Sequence, residues 1–254
     1  MTIAVIARNT FKEAVRDRVL YLLLFFAALA IVLSRVLALL TVGDRAKVVK
    51  DVGLASISLF GALMAILIGT GLVYKEIDKR TIFTLISKPI RRSEFLLGKY
   101  FGLLLTLAVM TAAMSAIFLV LVFAHTLAWE FRLLIPILFI FLELGLLTAV
   151  AILFSSFSTP ILSSLYALSF FLIGHFSWSL ETLIQKTPPG WGRTALRAVY
   201  AVLPDLENFN LKTEFVHGLT VPSSFYVYAP LYALVYTGFV LALAVLVFRR
   251  RDFI

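Results

Sequence analysis

No cysteine occurs anywhere in the 254 residues, so the chain carries no disulfide framework, no thiolate metal site and no cysteine nucleophile. Charge is scarce too: 15% of residues are Asp, Glu, Lys or Arg, against roughly 25% in soluble domains. Phosphate-loop chemistry is missing. Gly98-Lys99 lacks the upstream glycine and the following Ser or Thr, and Gly69-Thr70-Gly71 falls inside an apolar run. If ATP drives this protein, another chain binds it. There is no HExxH, no GxSxG and no pair of acids at a hydrolytic spacing. No internal repeat is visible.

What fills the chain instead is apolar length. Hydrophobic residues make up 61% of it, and the mean hydropathy is +1.01. A bilayer core of about 30 Å needs roughly 20 apolar residues in a helix. Six segments meet that length: Val19–Val42, Gly53–Tyr74, Phe95–Ala124, Leu133–Phe157, Ile161–Leu180 and Tyr226–Phe248. The expected fold is all-α: one polytopic domain over residues 1–254, a bundle of six transmembrane helices. Basic residues precede the first run, but that run exceeds the roughly 7–15 residues of a signal h-region and no small-x-small cleavage site follows. It reads as a retained span.

The net charge of +9 sits beside the spans rather than in a Lys/Arg stripe with interleaved aromatics, which favours a membrane surface and excludes nucleic acid as partner. With the N-terminus inside, 14 of the 23 Lys and Arg fall on one side, in the N-terminal, Lys75–Lys99 and C-terminal segments. The positive-inside rule then makes both termini cytoplasmic. Residues 1–18 place Ile3, Ile6, Thr10, Phe11, Ala14 and Val15 at helical spacing, which predicts an amphipathic helix in the cytoplasmic interface. Spans four and five are joined by a tight turn, Ser155–Pro160. Spans five and six are separated by residues 181–225 outside, long enough to be structured or functional. Within it, Ala195–Leu203 fits a short helix on the outer surface.

The most informative stretch is the connector from Lys75 to Lys99. It holds Lys75, Lys79, Arg80, Lys88, Arg91, Arg92 and Lys99 against Glu76, Asp78 and Glu94. Ile77, Ile82, Phe83, Leu85 and Ile86 mark an apolar helix face, and Pro89 ends the run because its ring cannot continue a helix. A short amphipathic helix at the cytoplasmic ends of two spans suits docking by a soluble partner, which points to a transporter subunit driven from outside itself.

Three ionisable groups fall within spans: Arg35, Glu143 and His175. From the assumed cytoplasmic ends they lie at similar heights, about 21–24 Å up at ~1.5 Å per residue. Charge in hydrocarbon is costly, so such groups face a bundle interior or cavity and find partners. A polar layer that contacts substrate or braces an outer gate is one reading. A structural Glu–Arg or Glu–His contact, with Arg35 snorkelling to the interface, is the other. Small residues recur every four positions at Gly61, Ala65 and Gly69 and at Ala108, Ala112 and Ala116, as close helix packing within one bundle requires.

These residues resemble the permease subunits of the ABC-2 type family of ABC transporters. The resemblance rests on FKEAVRDRVLYLLL (Phe11–Leu24), on KEIDKRTIFTLISKPIRRSEFLLGKYFG (Lys75–Gly102) and on the terminal FRRRDF (Phe248–Phe253). The connector is similar to the family's acidic-then-Thr, Leu-x-Ser-x-Pro, Arg, Gly-Lys pattern, and departs from it where Arg80, not Gly, precedes Thr81. The resemblance implies that residues 75–94 are a coupling helix, with Glu76, Asp78, Thr81, Ile82, Phe83, Leu85, Ser87 and Pro89 as its ATPase-facing residues. It implies a cytoplasmic ABC ATPase as partner, a second permease copy and an inner-membrane location. It also implies no cofactor in this chain, ATP and Mg belonging to the partner. A non-transporting membrane anchor or assembly factor for a soluble enzyme is the alternative. An intramembrane enzyme built on Glu143 and His175 is a weaker third, since neither has a recognisable catalytic companion.

Overall fold

The computed structural model describes residues 2–78, 91–188, 190–202 and 204–250, and among these every regular element is helical. We number the helices α1 (Thr2–Ala14), α2 (Arg18–Leu40), α3 (Arg45–Asp78), α4 (Arg92–Thr126), α5 (Leu134–Ser155), α6 (Pro160–His175), α7 (Ser177–Lys186), α8 (Trp191–Val202), α9 (Lys212–His217) and α10 (Phe225–Arg250). Single 3-10 turns cover Phe131–Leu133 and Leu206–Phe209.

Five of these helices are long and apolar enough to cross a membrane: α2, α3 up to Gly71, α4, α5 with its preceding turn, and α10. The chain is an integral membrane protein by that measure. The fifth expected span, Ile161–Leu180, is not one continuous helix. Pro160 opens α6 at its first position, where a missing N–H costs nothing. The helix then stops at His175, and Phe176 separates it from α7. Its 16 residues rise only about 24 Å, short of the ~30 Å of a hydrocarbon core.

The long helices run antiparallel. One end of the bundle, here the basic end, gathers α1, the starts of α2, α4 and α6, and the ends of α3, α5 and α10. The opposite end carries α7, α8, α9 and the two 3-10 turns. Helix α5 is the central element, packed against α3, α4, α6 and α10. In lipid, hydrocarbon tails compete equally for apolar side chains, so association depends on close backbone approach. The Gly61, Ala65, Gly69 stripe of α3 supplies it: a Cβ on Gly61 would lie 2.7 Å from Leu144, and one on Gly69 would lie 3.0 Å from Ala151. The second stripe behaves differently. Ala112 and Ala116 are exposed on the outward face of α4, beside Leu105, Val109 and Val120.

Helix α1 keeps the face expected of it. Thr10 and Ala14 are buried, with Ile3, Ile6 and Phe11 partly so. What that face meets is protein: α1 lies along α4, over Gly98 and Gly102. A Cβ on Gly102 would stand 2.5 Å from the Ala7 carbonyl oxygen, and one on Gly98 would stand 2.6 Å from Ile6. Asp17 then starts α2, its carboxylate accepting the Val19 N–H at 3.0 Å, the usual way to satisfy an orphan amide at a helix start.

This close approach has a measurable consequence. Gly102→Val should push α1 away from α4 and cost about 1–3 kcal/mol, the usual range for overpacking. We expect a lower melting temperature and faster proteolysis between α1 and α2 in detergent. Wild-type melting and proteolysis would mean that α1 does not rest on Gly102.

Candidate functional site

Glu143 lies on α5, roughly 14 Å along the helix from its first residue, and is fully buried. Neither carboxylate oxygen has a hydrogen-bond partner among the described residues, so its compensation is electrostatic. The nearest charge-bearing group is His175, the last residue of α6, whose Nε2 stands 3.5 Å from Oε1. The other ring nitrogen, Nδ1, lies 3.2 Å from the Phe171 carbonyl oxygen. A carbonyl only accepts, so Nδ1 carries the proton of that hydrogen bond. The nitrogen facing Glu143 is therefore protonated only in the imidazolium form.

The early end of α6 leaves the upper part of the bundle open, and residues 204–217 fill it. Leu206, Phe209, Leu211 and Val216 are buried there. Gly174 makes this insertion possible: a Cβ on it would lie 2.6 Å from Leu206 and 3.2 Å from the Pro204 oxygen. The turn is held internally. Asp205 accepts the Glu207 N–H at 3.2 Å, Asn210 donates its amide to Glu207 at 2.8 Å, and the Asp205 N–H reaches the Tyr232 hydroxyl of α10 at 3.0 Å.

With the turn comes charge. Lys212 opens α9, and its ammonium acts on both Glu143 and Glu207. Burial lowers the Lys212 pKa from its ordinary value, while Glu143 and Glu207 pull it back up. Burial likewise raises the Glu207 carboxyl, against the Asn210 hydrogen bond and the Lys212 charge. The result is a polar cluster contributed by four elements, inside an otherwise apolar bundle. Farther out, His217 Nε2 faces Asp51 of α3 at 3.9 Å, and Lys50 of α3 pairs with Glu130 at 2.7 Å. A cavity of about 300 Å³ borders the turn, walled by Asp205, Glu207, Asn210, Glu214 and Phe225 among others. Among the described residues no group of three or more His, Cys, Asp or Glu is arranged to hold a metal ion.

Of the three intramembrane ionisable residues, Glu143 and His175 meet and Arg35 does not join them. Arg35 is exposed on α2. Equal height along parallel helices does not imply a shared face. Lys212, Glu207 and Asp205 escaped sequence reasoning because they sit in a polar segment whose charges cancel. The available signal was Leu206, Phe209 and Leu211 in the same segment, too apolar for a loop in water.

A second constellation forms at the basic end. Lys99 is almost completely buried between α1 and α4, with Nζ 3.6 Å from Glu13 and 5.9 Å from the centre of the Phe95 ring. Arg92 donates to the carbonyl oxygens of Phe248 and Arg249 at 3.0 and 2.9 Å, satisfying the end of α10, and the Phe95 and Phe248 rings stack at 6.0 Å. The start of α4 thus fastens both the N-terminal and the C-terminal helix. Of the expected coupling residues, Glu76 and Asp78 belong to the last turn of α3. Thr81, Ile82, Phe83, Leu85, Ser87 and Pro89 lie outside the described residues.

Comparison with known proteins adds one finding. A family model described as ABC-2 family transporter protein matches residues 4–253. No curated protein matches the chain.

The cluster predicts a coupling energy. Glu143→Leu should cost about 3 kcal/mol, because it leaves buried partners uncompensated, whereas Glu143→Gln, which keeps the shape, should cost about 1 kcal/mol. Lys212→Met on its own should also destabilise. In the Glu143→Leu/Lys212→Met double variant the losses should fall short of their sum by about 1 kcal/mol or more. Strict additivity in thermal unfolding would show that the two charges do not interact.

Proposed function

We infer the function of this chain from its family: it belongs to the ABC-2 family of transporter proteins and is a membrane-embedded transport component. The observation that carries this reading is the extent of the match, residues 4–253, which takes in every long apolar helix among the described residues. Within that family we assign it the role of a non-catalytic permease subunit, with ATP and Mg bound by a separate cytoplasmic ABC ATPase. Two permease copies would form the translocating unit, exporting from the cytoplasm across an inner membrane, with both termini cytoplasmic.

Physical arguments support the coupling role. The sequence of the connector between α3 and α4 is basic, and it spaces Ile77, Ile82, Phe83, Leu85 and Ile86 ahead of Pro89 in the pattern expected of a helix that docks in a groove. Its downstream end enters α4 at Arg92, and Arg92, Phe95, Gly98, Lys99 and Gly102 tie α4 to α1 and α10. A force applied at Thr81–Ser87 would then reach three helices together. Free energy from ATP binding would enter there and tilt the bundle about its basic end.

Two experiments test this. Ile82→Asp with Phe83→Asp places charge on the docking face. We expect the co-purifying ATPase to be lost while membrane insertion persists. Retention of the ATPase at wild-type affinity would remove Thr81–Ser87 from the interface, and co-purification of an unrelated enzyme would favour a membrane anchor instead. Orientation is tested in the naturally cysteine-free background. An impermeant thiol reagent on intact cells should label Ser223→Cys and spare Ser87→Cys; the reverse pattern would invert the topology.

A further inference from the structure

We propose that Glu143 and His175 form a proton-operated switch that controls an intramolecular latch, the seating of residues 204–217 in the upper bundle through Lys212. The device stands on this chain alone and requires no partner. The element with two arrangements is the inserted turn. It occupies space left by the short α6 and is held by Leu206 against Gly174, by the Asp205–Tyr232 hydrogen bond, and by charge at Lys212.

The charge logic follows from the tautomer. Nδ1 of His175 donates its hydrogen bond to the Phe171 carbonyl, so the Glu143–His175 pair can take up two further protons, one on the carboxylate and one on Nε2. With neither bound, the pair is carboxylate plus neutral imidazole, carries one negative charge and attracts the Lys212 ammonium. With one proton, on either partner, the pair is neutral and the attraction weakens. With two, it is carboxylic acid plus imidazolium, and a positive charge faces Lys212. Each proton added on acidification loosens the latch.

Other charged and titratable groups around the pair are few. The 3-10 turn brings Asp205 and Glu207, α9 brings Lys212, α10 brings Tyr232 and Tyr236, and α4 brings the Tyr100 hydroxyl near Gly145. On α3, Asp51 and Lys50 are engaged with His217 and Glu130. Glu207 acts in the same direction as the pair: burial raises its pKa, so acid removes a second attraction for Lys212. The cavity of about 300 Å³ reaches the turn at Asp205, Glu207 and Asn210. That volume accommodates several waters at ~30 Å³ each.

The test reads the latch directly. Val216 is buried near the end of the segment and Leu219 is exposed just after it. Single cysteines at these sites in the purified full-length chain, in nanodiscs, are reacted with a thiol reagent between about pH 5 and about pH 8. The ratio of Val216→Cys to Leu219→Cys rates cancels the intrinsic thiolate dependence. We expect this ratio to rise about fivefold towards acid. Glu143→Gln and Lys212→Met should each flatten the profile, while Glu207→Gln should leave a reduced slope. Yield and elution volume identify variants that fail to fold, and His175→Gln provides a second, milder test of the pair. A flat wild-type profile would overturn the proposal. So would an unchanged slope in Lys212→Met, or loss of the slope in Glu207→Gln with its retention in Glu143→Gln.

Discussion

A helix that ends about a fifth short of the ~30 Å needed to cross a membrane leaves a gap, and much of this architecture answers to that one deficit. Helix α6 stops at His175, and the Leu206–Phe209 turn packs against it. The backbone that fills the gap is irregular, which hydrocarbon does not tolerate unless protein surrounds it. Here it is surrounded: Leu206 and Phe209 are buried, and the turn's polar groups are bonded among themselves and to Tyr232. Glycine at position 174 is what lets the turn descend.

The descent decides the chemistry of the interior. A carboxylate in the middle of the central helix would be prohibitive alone. The end of α6 supplies an imidazole beside it, and the inserted turn supplies an ammonium that acts on it. This makes the inserted segment a contributor to the core of the bundle rather than a decoration on its surface, and it ties the fold of the far end to the ionisation of residues on α5 and α6.

The basic end solves a different problem with different means. There α1, α4 and α10 must be joined close to water, where apolar contact is again available from lipid. Two glycines one turn apart bring the α1 backbone onto α4. Lys99 runs its stem through the contact and ends at Glu13, and Arg92 neutralises the exposed carbonyls at the end of α10. Lys99 is followed in the chain by Tyr100, whose hydroxyl approaches Gly145, two residues from Glu143. The two ends are thus linked through neighbouring positions on α4 and α5.

Much of this protein was legible from local pattern. Long uncharged runs identify the crossing helices, because the length of an apolar helix needed for a bilayer is set by geometry alone. The spacing of Ile3, Ile6, Thr10, Phe11 and Ala14 defines the buried face of α1, and the connector and terminal motifs already indicated the family. Local pattern failed at the fifth span, since apolar composition continues past His175 although the helix does not. Equal height also said nothing about facing: Arg35 shares a height with Glu143 but is exposed on α2. Only the tertiary structure could decide that the charge of Lys212 acts on Glu143, that Leu206 rests on Gly174, and that Gly98-Lys99 is the seat of α1. Each of these contacts joins residues far apart in the chain, and hydrophobic periodicity carries no information about which distant face a residue will meet.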